Sequence, residues 1–392
     1  MSGKREVIVM GLAAVEKWLH TCARCSSCKY LYKNYNPSCP SGEKFWFETY
    51  WASGRVWIAK AIYQKKLNFT ESVLKAIYAC PLCGNCAVQC NQDVNTHLLE
   101  IMEALREEAV QAGAGPLEIH KAFAESIQKE HNPYLEAHNA RLNWIEKEKL
   151  PEQADIYYFV GCTSSYRQKE IAQATLSLLK KVNANFTVSP EEWCCGSPLL
   201  RTGQTEKAKT LVKHNMDDVK KRKAKKVIFS CAGCFRTFKE DYPKILNQDL
   251  GVEVLHVTEY LNELLQKGEL KIINGFPHTI TYHDPCHMGR HVGVYDAPRD
   301  LLKAIPSLNL IEMDRIRENA WCCGAGGGVK SGFKDWAIDI AKKRIGEAEK
   351  TKAEYLVSSC PFCHRNLDDA IKVTKSQLKM SDVTEILNSV ID

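Results

Sequence analysis

Eighteen cysteines, placed in tight groups along 392 residues, constrain this chain more than any other feature. Cysteines grouped as CxxC and Cys-Cys pairs are typical of metal ligands in intracellular proteins, whereas disulfide frameworks belong to secreted domains. The N-terminal segment lacks an apolar stretch followed by a cleavage site, so we expect a reducing, cytoplasmic location. The cysteine pattern therefore predicts metal sites.

The first eight cysteines form two C-x2-C-x2-C triplets, each accompanied by one more distant cysteine. The second triplet and its partner have the spacing of bacterial [4Fe–4S] ferredoxins, in which the fourth cysteine binds the neighbouring cluster. Zinc is the alternative, but zinc sites use paired rather than tripled CxxC spacing. Crossed ligation predicts two cubane clusters, one held by Cys22, Cys25, Cys28 and Cys90 and the other by Cys39, Cys80, Cys83 and Cys86.

The last ten cysteines form a larger repeat of a lone cysteine, a Cys-Cys-Gly string and a C-x2-C pair. Its two copies are offset by 124 to 129 residues, which is a usual domain size. Five thiolates exceed the four ligands of a cubane, and Gly196 and Gly324 let the backbone pass close to a cluster. Trp193 and Trp321, each directly before a Cys-Cys pair, are predicted to exclude water. The two copies are Cys162, Cys194, Cys195, Cys231 and Cys234, then Cys286, Cys322, Cys323, Cys360 and Cys363.

The repeats predict a multidomain chain. Short apolar runs end just before the lone cysteine and the C-x2-C pair of each copy, and helical patterns follow several of them. This order predicts duplicated α/β domains with their cysteines outside the carboxyl ends of parallel strands. The predicted segments are an α-helical ferredoxin-like domain at 1–115, a helical connector at 116–150, and two sister domains at 151–275 and 276–392.

Composition excludes several other classes. The net charge of +6 is mild and its cations are interleaved with acids, so nucleic acid is not an expected partner. No apolar run approaches the ~20 residues of a transmembrane helix. The glycine run at 324–328 lacks the Lys-Ser/Thr ending of a phosphate loop, and no dinucleotide fingerprint is present. We therefore expect any flavin or nicotinamide to lie on a partner protein.

Several strings resemble a known family. They are CPLCGNCAVQC, NPYLEAHNARLNWI, YFVGCT, WCCGSP, SCAGC, YHDPCHMGRHVGVYDAPRDLL, WCCGAGGGVKSGF and SSCPFCHRNL. The chain thereby resembles the CCG-domain proteins of the heterodisulfide reductase type, in whose D subunit a two-cubane segment is fused to two CCG domains. The resemblance implies that each complete five-cysteine set holds a noncubane [4Fe–4S] cluster, and that a disulfide is cleaved between two such clusters.

The implied function is that of an oxidoreductase acting on a sulfur group. Electrons would pass from the cubanes to the noncubane clusters, where a small thiol or disulfide reacts. The expected partners are a flavoprotein, a cytochrome b or a hydrogenase-type module, which could hold the chain at a membrane. The alternative is a non-catalytic electron-transfer subunit of a flavin-dependent glycolate, lactate, glycerol-3-phosphate or acyl-CoA dehydrogenase. Both five-cysteine sets are complete, which favours the disulfide reductase.

Histidine and arginine side chains surround the lone cysteine of the second copy. His287, Arg290 and His291 are the candidate catalytic residues, because a cation or imidazole there could protonate a departing thiolate or stabilise its charge. The alternative, which also applies to His283, is that these side chains hydrogen-bond cluster sulfurs and tune only the reduction potential.

Overall fold

The computed structural model describes residues 11–31, 35–145 and 149–391. The predicted segments also include residues 1–10, 32–34, 146–148 and 392, which lie outside the described residues. A helical N-terminal region precedes two parallel four-stranded sheets, so the predicted fold class is confirmed. Within the described ranges, no helix is long and apolar enough to cross a membrane.

The N-terminal region consists of short helices joined by cysteine loops. The helix Leu98–Gln111 packs one face inward, with Ile101 and Leu105 fully buried, as their spacing predicts. Thr70 caps another helix by accepting a hydrogen bond from the backbone N–H of Val73. The α-helices are Glu16–Leu19, Pro40–Phe45, Ala52–Tyr63, Glu71–Tyr78, Asn85–Gln89 and Leu98–Gln111, and Glu118–Glu130 follows in the predicted connector.

The first sister domain has a parallel sheet with strand order β2-β1-β3-β4. Its strands are β1 (Ile156–Phe159), β2 (Phe186–Thr187), β3 (Lys226–Phe229) and β4 (Glu253–His256). Helices cover both faces of the sheet, as parallel sheets require. They are Cys162–Tyr166, Lys169–Lys181, Ser197–Leu200, Thr205–Lys221, Ala232–Arg236, Tyr242–Leu246 and Val257–Gln266, with a π-helix at Thr237–Asp241.

The second sister domain repeats this arrangement, with strand order β6-β5-β7-β8. Its strands are β5 (Thr279–His283), β6 (Asn309–Leu310), β7 (Tyr355–Ser358) and β8 (Lys379–Asp382). Its helices are Asp296–Lys303, Val329–Gly332, Lys334–Glu349, Pro361–Thr374 and Val383–Val390. In both domains the cysteines begin two or three residues after the central strands, and buried apolar side chains of the two domains form shared cores.

Arg106 joins the N-terminal region to both sister domains. Its fully buried guanidinium donates to the carbonyl oxygens of Arg201 and Gly327, at 2.6 and 2.7 Å, and to those of Ile77 and Cys80, at 2.9 and 2.6 Å. A guanidinium offers five N–H donors in one plane, so a single side chain can satisfy all four carbonyls. The three regions therefore form one packed body.

Candidate metal centres

Four cysteines of the N-terminal region surround a void at the protein surface. The void has a volume of about 290 Å³, part of it open to solvent, and its cysteines are Cys22, Cys25, Cys28 and Cys90. Cys25 is the only exposed cysteine among the eighteen, all of which the structure describes. A hydrogen bond from Ser27, at 3.2 Å, lowers the pKa of the Cys25 thiol.

A second void, of about 370 Å³, is lined by the other four cysteines of this region, Cys39, Cys80, Cys83 and Cys86. Arg55 also lines it and is fully buried. Burial raises the pKa of the Cys39 thiol, and the positive charge of Arg55 opposes that rise. The structure thus brings together the two sets that crossed ligation groups, with Cys90 beside the first triplet and Cys39 beside the second.

The five cysteines of the first sister domain form a line of contacting thiols. The order of contact is Cys162, Cys194, Cys195, Cys234 and Cys231, and all five are buried. Hydrogen bonds from the neighbouring thiols of Cys194 and Cys234 lower the pKa of Cys195 to about 6. The line follows the loops at the carboxyl end of the sheet, so residues distant in sequence meet there.

The second sister domain has the corresponding line of thiols. Cys286 contacts Cys322, and the order continues through Cys323, Cys363 and Cys360. Here one ring nitrogen of His283 lies within 4.8 Å of the Sγ atoms of Cys323 and Cys363. The other side of the same imidazole accepts a hydrogen bond at Nδ1 from the buried Arg344, at 3.1 Å.

Two further thiol contacts connect these sets. Cys231 of the first sister domain contacts Cys360 of the second, so the two five-cysteine sets meet directly. Cys322 contacts Cys83, which lines the second void of the N-terminal region. The thiols therefore run without interruption from the N-terminal region into the second sister domain and then into the first.

The candidate catalytic histidines lie beside this line. The rings of His287 and His291 are 4.6 Å apart, and one nitrogen of each lies within 4.8 Å of Cys286 Sγ. Within the described residues, Nε2 of His287 and both ring nitrogens of His291 have no hydrogen-bond partner. Burial lowers the pKa of His287 to about 4, so its imidazole is neutral near pH 7.

Arg290 lies at the border between the N-terminal region and the second sister domain. Its Nε donates to the carbonyl oxygen of Cys83 at 2.6 Å, and its Nη1 donates to those of Ala320 and Glu318 at 2.7 and 3.1 Å. These bonds hold the Cys83 loop against the segment that precedes Cys322. The guanidinium is thus committed mainly to backbone oxygens.

The two predicted glycines both have left-handed backbone, with φ of +89°. A side chain on Gly324 would also meet the helix Lys334–Glu349, because its Cβ would lie 2.5 Å from the carbonyl oxygen of Ala337. A Cβ on Gly196 would meet only ordinary contacts, at 3.6 Å from Ala208. Glycine is therefore required for conformation at both positions and for helix packing at Gly324.

Arg141 is a site residue that sequence reasoning missed. Its Nη2 donates to Cys162 Sγ at 3.5 Å, and its Nη1 pairs with Glu192 at 2.6 Å, with both side chains 1% exposed. Glu192 also accepts the backbone N–H groups of Val160 and Gly161, at 2.7 and 2.9 Å. Arg141 belongs to the segment predicted as a polar connector, and nothing in its local sequence identifies a thiol 21 residues away as its partner.

Comparison with known proteins identifies these regions. Residues 18–94 match the family described as a 4Fe-4S dicluster domain, and residues 156–239 and 280–368 match the family described as a cysteine-rich domain, CCG. The prediction of two cubane clusters in the N-terminal region is therefore confirmed. The sister domains are CCG domains, which bind further iron–sulfur clusters.

Similar proteins cover nearly the whole chain. The D subunit of dihydromethanophenazine:CoB--CoM heterodisulfide reductase from Methanosarcina mazei is 40% identical over 385 residues, which are 94% of this chain and 93% of that protein. The Methanosarcina barkeri protein of the same name is 44% identical over 316 residues, or 79% and 77% of the two chains.

A solved structure of a hypothetical protein from Helicobacter pylori has a TM-score of 0.57 and 11% identity, and the match covers 87% of this chain and 68% of that one. At this identity the likeness concerns the fold alone. The two family matches follow the order of the cysteine sets along the chain. The chain belongs to the family of iron–sulfur oxidoreductases formed by the D subunits of heterodisulfide reductase.

Proposed function

We propose that this chain reduces a small disulfide at the junction of its two sister domains, as one component of a heterodisulfide reductase complex. The contact between Cys231 and Cys360 carries the proposal, because it joins two complete five-cysteine sets in a buried position. One disulfide takes up two electrons and two protons to become two thiols. Two adjacent sets can supply the two electrons from neighbouring positions.

The residues fit iron–sulfur clusters, since each set consists of thiols alone and thiolates are the ligands that iron–sulfur clusters use. Cys162, Cys194, Cys195, Cys231 and Cys234 would hold one noncubane [4Fe–4S] cluster. Cys286, Cys322, Cys323, Cys360 and Cys363 would hold the other. When bound, such clusters supply electrons one at a time.

The thiol contacts support a definite order of the four sets. Cys25 marks the exposed end, and Cys83 lies in the set that reaches the second sister domain through Cys322. Electrons would reach the first sister domain only afterwards, through Cys360 and Cys231. The substrate would thus react between the last two sets of this order, away from the exposed cubane.

The side chains around the junction have separate proposed roles. His287, a neutral imidazole with its free Nε2 near Cys286, stabilises a departing thiolate by donating a hydrogen bond, and His291 supports it from 4.6 Å. Arg290 acts as a positioning residue, because its Nε and Nη1 already donate to backbone oxygens. Trp193 and Trp321 exclude water beside the Cys-Cys pairs.

Electrons must come from another protein, since this chain has no flavin or nicotinamide fingerprint in its sequence. A flavoprotein, a cytochrome b or a hydrogenase-type module could each deliver them. A membrane-bound partner of this kind would hold the chain at the membrane surface.

The test is anaerobic iron and sulfide analysis together with EPR, taken with and without a heterodisulfide or its thiols. We expect about sixteen irons per chain, four for each of four clusters, and a new EPR signal after thiol addition. Cys360→Ala should remove that signal while the cubane signals stay. Full iron content with no response to thiols or disulfides would contradict the proposal and favour an electron-transfer role within a flavin-dependent dehydrogenase.

A further inference from the structure

We propose that the surface around Cys25 docks the electron donor, and that this donor is a protein with an acidic face around its own redox group. We call this surface the Cys25 edge and define it by Arg24, Cys25, Trp57 and Lys60. The inference rests on the proposed function only in requiring that electrons enter from another protein.

The position of Cys25 selects this edge for electron entry. Every other cysteine of the chain is buried or partly buried, and the structure describes all eighteen. Electron transfer between proteins falls steeply with distance, so a donor must come close to an exposed cluster ligand. The void beside Cys25 is partly open to solvent and is lined by Arg24 as well as by the four cysteines.

The side chains of the edge are suited to protein contact. Trp57 is 38% exposed, and its ring carries two cations, with the guanidinium of Arg24 at 4.4 Å and Nζ of Lys60 at 4.7 Å from the ring centroid. Tryptophan and arginine are the residues that most often dominate binding energy in protein interfaces. An exposed tryptophan with two cations close to its ring offers a partner both apolar area and positive charge.

The charges favour an acidic partner. Within the described residues, neither Arg24 nor Lys60 forms an ion pair with a carboxylate, and the nearby Glu48 is already paired with Lys29 at 2.5 Å. The charge of Arg24 also acts on Glu48, but Lys29 already pairs with that carboxylate, so these side chains together leave net positive charge near the exposed cysteine. Opposite charge on the donor would steer its encounter and orient its redox group toward Cys25.

The experiment measures how fast the cluster-loaded protein is reduced by two donors of opposite charge. Reduced plant-type [2Fe–2S] ferredoxin serves as the acidic protein, reduced methyl viologen serves as the small cation, and stopped-flow absorbance follows the cubanes. The test variant is Arg24→Glu with Lys60→Glu. The control, Lys213→Glu with Lys220→Glu, reverses two exposed charges on the helix Thr205–Lys221.

We expect the test variant to slow reduction by ferredoxin at least about tenfold at low salt, while reduction by methyl viologen does not slow. The control should match the unchanged protein with both donors, and about 0.5 M salt should remove most of the difference. Equal rates for the test variant and the unchanged protein, or equal slowing in the control, would overturn the proposal. Disulfide reduction with viologen as donor does not depend on charge attraction to this edge, so it tests the proposed function separately.

Discussion

The two sister domains share a strand order and an arrangement of five cysteines, which we call the first and the second frame. The side chains next to the two frames nevertheless differ. Phe159 ends β1 three residues before Cys162, and it packs against Phe229 and Phe238. His283 ends β5 at the same distance before Cys286. An apolar ring therefore supports the first frame at the position where an imidazole supports the second.

The hydrogen bond from Arg344 determines which ring nitrogen of His283 carries the hydrogen. Arg344 donates to Nδ1, and a guanidinium cannot accept, so the ring hydrogen of neutral His283 lies on Nε2. That Nε2 has no oxygen or nitrogen partner among the described residues, while the ring contacts the thiol of Cys323. The second frame thus receives an N–H donor that Phe159 cannot provide to the first.

The tryptophans beside the Cys-Cys pairs also differ, both in their exposure and in their hydrogen bonding. Trp193 is partly exposed and lies between the parallel rings of His131 and His214, at 3.8 and 3.6 Å. Trp321 is 1% exposed and its indole N–H donates to the carbonyl oxygen of Ile340 at 3.0 Å. Trp321, beside the second frame, is therefore a core residue, whereas solvent can reach Trp193, beside the first frame, more readily.

These differences show that the duplication kept the thiol frame and changed its surroundings. The second frame contacts the cubane region through Cys83 and has a polar, buried support. The first frame lies at the far end and is anchored instead by the Arg141–Glu192 pair. The comparison predicts that equivalent changes in the two domains have unequal effects.

The largest effect is expected from removing one thiol of each frame. Cys234→Ala and Cys363→Ala should each lower disulfide reduction by at least about 100-fold. In Cys234→Ala the cluster of the second sister domain still lies next to the cubanes and should be reduced by them. In Cys363→Ala the remaining cluster should stay oxidised on the same time scale, as followed by freeze-quench EPR. Equal reduction in both variants would contradict the order of the four sets.

The next effect concerns the buried acids. Glu192→Gln removes the one carboxylate that pairs with Arg141 among the described residues, and we expect a loss of about 3–5 kcal/mol in unfolding free energy. Asp284→Asn removes one partner of Arg299, but Glu312 still pairs with that guanidinium at 2.6 Å, so about 1–3 kcal/mol should be lost. Guanidinium chloride titration of the cluster-loaded protein compares the two, and a larger loss in Asp284→Asn would reverse the comparison.

A smaller effect is expected when the second frame is made like the first. His283→Phe removes the N–H donor to Cys323, so the reduced cluster loses a hydrogen bond that stabilises its negative charge. We expect its reduction potential to fall by about 59 mV, a tenfold change for one electron. Redox titration monitored by EPR measures the shift. His283→Gln, which keeps an N–H donor, should recover part of it.

The smallest effect is expected at the two tryptophans. Trp193→Phe keeps an aromatic ring between the two imidazoles, so the loss in unfolding free energy should be about 0.5–1.5 kcal/mol. Trp321→Phe also breaks the hydrogen bond to Ile340, and should cost about 1–3 kcal/mol. Chemical unfolding measures both. A greater loss at Trp193 would show that the exposed stack is the more important one.

The grouping of the cysteines could be predicted from the sequence, whereas the side chains that surround them could not. Spacing alone grouped Cys90 with the first triplet and Cys39 with the second, because the two triplets repeat a known pattern. The arginines were not predictable as contacts. Arg106 and Arg290 bind backbone carbonyl oxygens up to 221 residues away, and such acceptors leave no mark in the identity of the residue that carries them.

The four carbonyl bonds of Arg106 have a consequence for maturation of the protein. They close the Cys80 loop against both sister domains, and a Cβ on Gly327 would lie only 2.6 Å from the Cys80 carbonyl oxygen. Iron and sulfide cannot pass through contacts this close once the regions have docked. A cluster held by the Cys80 set must therefore enter before the regions dock or through another side of its void, part of which is open to solvent.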